Sequence, residues 1–159
     1  GYKILILRLH SSIYTDDFLY VFSGEEYIES KYVGEQLTGS VRKAHTFNES
    51  EMPYFALRAV LIGQFKPDAL KGTILIMMGC NGTSSNYVVQ DFLQEGVQAY
   101  ISWDGYINLN HSDKATLRLI QALCLEGLKP EAAVEKVNRE IGLDPSYATR
   151  LVCRLPQGN

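Results

Sequence analysis

Three short, nearly continuous apolar runs constrain this chain more than any other feature: residues 4–9, 73–78 and 97–103. Each has the length of a strand, and each stops at a polar break, at His10, at Gly79-Cys80 and at Asp104. A run without polar alternation is the pattern of a strand covered on both faces, as in a parallel sheet. Between the second and third runs, Val88, Val89, Phe92 and Leu93 mark a helix that stops at Gly96, a suitable left-handed cap. After the third run a helix is predicted over 113–126, with Leu117, Ile120 and Cys124 on one face. A second follows over 130–141, carrying Val134, Val137 and Ile141, with Pro130 at its start and Gly142 just past its end. The tail, residues 147–155, alternates, with Thr149, Leu151 and Cys153 to one side. That pattern predicts an edge strand with one wet face.

The stretch between the first two runs is less regular. Residues 18–22 read as a strand, Ser23-Gly24 as a turn, and residues 27–33 as a strand pairing back in a hairpin. Residues 34–47 are polar and suggest loop with a short strand. Ser50 is an N-cap candidate for a buried helix running to about Gln64, with Pro53 in its first turn and Phe55, Leu57, Val60, Leu61 and Ile62 as its apolar positions. This order predicts an α/β fold with a mainly parallel sheet, helices on both faces, a hairpin after the first strand and a C-terminal edge strand. With 159 residues, no repeat and no linker, the expectation is one domain over 1–159.

Parallel strands bring their carboxyl ends to one rim of the sheet, where α/β proteins place their crevices. Here that rim gathers His10, Cys80 and Asp104 from distant parts of the chain. A thiol is mostly protonated near neutrality and needs a neighbouring imidazole to become a good nucleophile, which His10 supplies. Gly79 and Gly82 let the backbone turn tightly around Cys80 and present amide N–H groups to a developing oxyanion. Cys124 and Cys153 read as core residues. His45 and His111 read as solvated loop residues, either being a fallback partner for Cys80.

The blocks Leu5-Ile6-Leu7-Arg8-Leu9-His10 and Ile74-Leu75-Ile76-Met77-Met78-Gly79-Cys80 resemble the two-block pattern of the caspase, gingipain, clostripain and separase group of cysteine peptidases. There a hydrophobic strand ends in the catalytic His and a later one ends in the nucleophilic Cys. The stretch from Phe92-Leu93 through Gly96 to Ser102-Trp103 is similar to CHAT-type domains, and the resemblance covers residues 4–141. It implies a caspase-like fold and a cysteine endopeptidase with His10 and Cys80 as its dyad. The amides of Ser11 and Cys80 would then form the oxyanion hole, and Trp103 and Asp104 would wall the substrate pocket. The alternative is a catalytically inactive caspase-like module that binds a protein partner.

This chain departs from the group at Ser11, where a Gly is usual, and at Gly79 and Met78, where an Ala and an acidic residue are usual. The group also has a strand and helix before the His-bearing strand. An N-terminal segment or a second chain is therefore expected to complete the domain. A carboxylate at Asp104 would favour a basic residue before the scissile bond; the competing reading is that Asp104-Gly105 simply makes a turn.

Composition removes several partners. A net charge of −3 gives no electrostatic reason to expect nucleic acid or an anionic membrane. No apolar run approaches the roughly 20 residues of a membrane span. The three cysteines are odd in number and widely spaced, so no disulfide framework or zinc-type pair is expected, and reduced thiols favour a cytoplasmic setting. No metal and no organic cofactor is implied; the expected partner is a peptide or protein substrate.

Overall fold

The computed structural model describes residues 3–14, 17–46, 50–64 and 68–156. Phe47, the end of the stretch read as mixed, lies outside them. The first sheet has the order β1-β6-β7-β8, built from β1 (Ile4–Leu7), β6 (Ile74–Met77), β7 (Ala99–Trp103) and β8 (Leu151–Arg154). β1, β6 and β7 run parallel, and β8 closes the far edge antiparallel to β7. All five residues of β7 are buried, as the unbroken apolar run of a central strand requires.

The second sheet is antiparallel, in the order β2-β3-β5-β4, from β2 (Ser11–Tyr14), β3 (Phe18–Glu26), β5 (Tyr54–Arg58) and β4 (Val41–Ala44). Among the described residues there are five helices: α1 (Val33–Leu37), α2 (Leu61–Gln64), α3 (Asn86–Gln94), α4 (Leu109–Cys124) and α5 (Pro130–Ile141). The α/β class holds, with a sheet that is parallel apart from its last strand.

Each face of the first sheet seals its own core. On one side Leu75, Met77 and Tyr100 meet Val88, Val89 and Phe92 of α3 together with Leu19 and Val21 of β3. On the other, Ile76, Ile101 and Trp103 meet Ala115 and Leu119 of α4 and Val134 and Val137 of α5. Helices therefore do lie on both faces, but on the α3 side the antiparallel sheet shares the covering. Phe92 stacks on Tyr100 at 5.4 Å between ring centroids, and both are fully buried.

The region between β1 and β6 differs most from the reading of the sequence. The chain leaves the parallel sheet after Leu7, crosses through Arg8, Leu9 and His10, and enters the other sheet at Ser11. The hairpin after β1 is β2 with β3, in the register Ser11↔Val21 to Tyr14↔Phe18. Residues 27–33 form no strand. Ser23-Gly24 is not a turn but lies in a register shift of β3 against β5 between Phe22 and Glu26, where Ser23 Oγ donates to the Phe55 carbonyl at 2.8 Å. There residues 23–25 of β3 face Phe55 alone, and this bulge absorbs the two extra residues, so β3 runs on to Glu26.

The helix predicted over 50–64 is β5 followed by the single turn of α2. Phe55 and Ala56 are buried in an inner strand, between β3 and β4. A strand buried on both faces has the same continuous apolar character as a buried helix, so periodicity could not separate the two. In α4 the buried face is Ser112, Ala115, Thr116, Leu119 and Ala122, while Leu117 is 61% exposed and Cys124 is exposed as well. Small residues on either side of Leu119 let the helix lie close to its neighbours, and Leu117 and Cys124 are left outside. The other elements follow expectation: α3 ends before Gly96 (φ 87°), α5 begins at Pro130 and ends before Gly142, and β8 is the edge strand.

Candidate functional site

His10 sits where the chain passes from one sheet to the other, and Cys80 sits just beyond the end of the neighbouring parallel strand β6. The pairing Leu7↔Met77 and the bond from Met78 N–H to the Leu7 carbonyl at 2.9 Å carry the two strands side by side to this rim. His10 and Cys80 line the same two cavities. One, of about 130 Å3, is shared with Ser11, Ser12, Phe22, His45 and Tyr106. The other, of about 330 Å3, lies toward Met78 and the start of α4.

The turn that carries Cys80 is held from two sides. Ser11 Oγ donates to the Cys80 carbonyl at 2.6 Å, and the Asn81 N–H donates to the Gly105 carbonyl at 2.8 Å. Thr83 N–H and Oγ1 both donate to the Trp103 carbonyl, and Ser84 Oγ donates to that of Asp104. Beneath the turn, Tyr100 Oη donates to the Gly82 carbonyl at 2.8 Å and Ser102 Oγ to the Met77 carbonyl at 2.7 Å. Burial pushes the Tyr100 phenol further up, so it stays a donor.

The glycines serve a different end from the one expected. The left-handed residue of the turn is Asn81 (φ 59°), a conformation Asn adopts more readily than most. Gly79 is needed for space: a Cβ there would overlap Ser11 Oγ and lie 2.8 Å from the Leu9 carbonyl oxygen. An Ala at this position would not fit without moving the crossover that carries His10.

Ser11 is 6% exposed, with its hydroxyl turned onto the Cys80 carbonyl rather than into the cavities' open space. Its own N–H is free of the ladder. Phe22 N–H donates to the His10 carbonyl, and Ser11 faces Val21. Bonded and non-bonded pairs alternate in an antiparallel ladder, so the Ser11 N–H points away from β3, off the open edge of the sheet. The His10 imidazole is exposed and meets the Phe22 ring edge-on at 5.9 Å. Among the described residues no hydrogen bond orients it.

Trp103 and Asp104 do not reach either cavity. Trp103 is 1% exposed in the core beneath α4, where its Nε1 donates to Ser112 Oγ at 3.1 Å. Asp104 faces β8: its Oδ1 accepts from the Arg150 N–H at 2.8 Å, and its Oδ2 lies 3.5 Å from Arg150 Nε. Asp104-Gly105 makes a bend that ties β7 to β8, and the pocket role expected of this pair is withdrawn.

His45, read as a solvated loop residue, stands just past the end of β4 and lines the smaller cavity together with Cys80. Only the pairing of β4 with β5 brings it there. His111 is in the first turn of α4, tilted against Trp103 at 5.6 Å, and its Nε2 is buried without a partner. Among the lining residues that sequence reasoning did not single out are Phe22 and Tyr106 in the smaller cavity and Leu109 and Ser112 in the larger one.

Of the other thiols, Cys153 packs half-buried against the α4–α5 core, and burial raises it to about 11. Cys124, expected in the core, is exposed at the end of α4. Among the described residues no cluster of three or more His, Cys, Asp or Glu side chains could hold a metal ion, and no helix is long and apolar enough to cross a membrane. Comparison of the chain with protein-family models, with curated proteins and with solved structures finds no match.

Proposed function

We propose that this chain is a cysteine endopeptidase of caspase-like type, with Cys80 as nucleophile and His10 as its acid–base partner. One observation carries the reading: an imidazole and a thiol from distant parts of the chain flank the same two cavities at the carboxyl ends of adjacent parallel strands. In the reaction, the Cys80 thiolate attacks the scissile carbonyl, and the negative charge gathers on the carbonyl oxygen. The N–H groups of Ser11 and Cys80 stabilise that oxygen. His10, as imidazolium, gives its proton to the departing amine. Water then hydrolyses the thioester, with His10 taking the water's proton and the Cys80 sulfur leaving.

The inward turn of the Ser11 hydroxyl supports this reading, because the side chain that replaces the family's glycine does not obstruct the approach of a substrate. A second reading, a catalytically silent module that binds a protein partner in the same cavities, is favoured by one feature. The His10 ring lacks an orienting hydrogen bond among the described residues, and a loosely held base does little chemistry.

Thiol labelling separates the two. At neutral pH in the native state, iodoacetamide is expected to alkylate Cys80 and the exposed Cys124, while Cys153 reacts slowly because almost none of it is thiolate. His10→Ala should slow Cys80 roughly tenfold or more and leave Cys124 unchanged, as read by mass spectrometry of the labelled peptides. A Cys80 rate indifferent to His10 would remove the dyad and leave the silent module standing.

A further inference from the structure

The larger cavity beside Cys80 has a lining that speaks to what it would hold. Its walls are Leu9, Met78, Ile107, Leu109 and the ring of Tyr147, over about 330 Å3. Apart from the proposed dyad itself, three of its polar side chains already have partners. Ser112 Oγ donates to the Met78 carbonyl and accepts from Trp103 Nε1. Asn108 Oδ1 accepts from the Asn110 N–H. Arg8, at the rim, is held by both oxygens of Asp113 at 3.1 Å, and that pair keeps the Asp113 carboxyl below its usual range.

No carboxylate side chain is among the lining residues. The closest buried one, Asp144, lies behind Asn108 and Tyr147 at 1% exposure. Its two oxygens accept from the N–H groups of Asn108, Ser146 and Tyr147. Burial works against its charge, yet these three donors hold it below the ordinary carboxylate range.

We propose that this cavity receives the side chain on the acyl side of the scissile bond and selects a large apolar residue, Leu, Met or Phe. The inference rests on the peptidase reading and gives it a substrate class. The cavity adjoins Cys80 and His10 directly, so a side chain lodged in it sets that residue's own carbonyl against the sulfur. A Lys or Arg there would leave water for walls of Leu, Ile and Met without an anion to meet, and burial of an unpaired charge is strongly disfavoured. An Asp or Glu would find Arg8, whose guanidinium Asp113 already occupies, and His10, whose proton the reaction needs for the departing amine. An apolar side chain loses nothing and gains its own burial, which corresponds to roughly 10- to 100-fold in kcat/KM.

The test uses fluorogenic peptides that differ only at that residue, together with peptidyl acyloxymethyl ketones of the same series read by mass at Cys80. Leu, Met and Phe should exceed Arg, Lys and Asp by 10- to 100-fold in both assays. Leu109→Asp places a carboxylate at the mouth. Leu109 is 55% exposed at the first position of α4, where an acidic residue also suits the helix dipole, so the fold should hold. In that variant the apolar preference should shrink at least tenfold in favour of Lys and Arg. A wild-type preference for Arg, Lys or Asp, equal rates across the series, or a Leu109→Asp profile like the wild type would each overturn the inference and leave the peptidase standing. If no peptidyl ketone labels Cys80 while iodoacetamide still does, the peptidase reading fails and the inference with it.

Discussion

Cys80→Ala is expected to abolish peptide hydrolysis, with a loss on the order of 10^6-fold in kcat, the scale seen when a covalent nucleophile is removed. No other thiol can substitute. Cys124 ends α4 with its side chain in solvent, and Cys153 lies on β8 among the α4–α5 core residues; neither lines the cavities that His10 shares with Cys80. The same variant should fold as the wild type does. Cys80 is only partly buried, and what anchors its turn is the backbone carbonyl that accepts from Ser11, which alanine retains. Fluorogenic peptide turnover and a thermal melt on the same sample make the comparison. Retained hydrolysis in a folded Cys80→Ala protein would move the chemistry elsewhere; loss of both activity and melting would show that the thiol is a packing residue.

Gly82→Ala is expected to cost about 3 kcal/mol of stability, a fall in Tm of roughly 6–12 °C for a chain of this size. A Cβ on Gly82 would overlap Ser102 Oγ and lie 2.6 Å from Ser102 Cβ and 3.1 Å from Tyr100 Oη. Neither neighbour can yield. Both are fully buried in the inner strand β7, and each donates its hydroxyl to a backbone carbonyl, that of Met77 at the end of β6 for Ser102 and that of Gly82 itself, in the turn beyond, for Tyr100. Peptidase activity should drop along with stability, because the same contacts support the turn that presents Cys80.

The reason is testable by a double-mutant cycle. Ser102→Gly removes both atoms that the new methyl would strike, so Gly82→Ala in that background should be at least 1 kcal/mol less damaging than in the wild type. Strict additivity of the two changes would mean that Gly82 serves the turn by conformation rather than by space.

What was legible in the sequence follows from local pattern. The runs at 4–9, 73–78 and 97–103 read as strands whose polar ends meet at one rim; β1, β6 and β7 pair parallel in that way and set His10 and Cys80 on common cavities, although β1, expected to be covered on both faces, is an edge strand with Ile6 38% exposed. α3, α5 and β8 were equally readable, because their caps, period and edge alternation are properties of contiguous residues. Strand β5 was not. Tyr54 to Arg58 is apolar enough to be a buried helix, and it became an inner strand because β3 and β4 offer it hydrogen bonds on both sides. Ser23-Gly24 became a bulge for the same reason, with β5 continuing beside it.

The face of α4 was decided by distance. Packing closely on Trp103 and α5 selects Ala115, Leu119 and Ala122 over Leu117 and Cys124, a choice hydrophobicity alone cannot make because Leu119 and Leu117 are the same residue. His45 and the Leu109 wall reach the site only through strand pairing and helix placement, and Asp104 leaves it because Arg150, just before β8, binds its carboxylate. A sequence determines what each segment can bury and where it must turn. Which partner takes up a given carboxylate, imidazole or apolar face depends on residues tens of positions away, so only the tertiary structure assigns it.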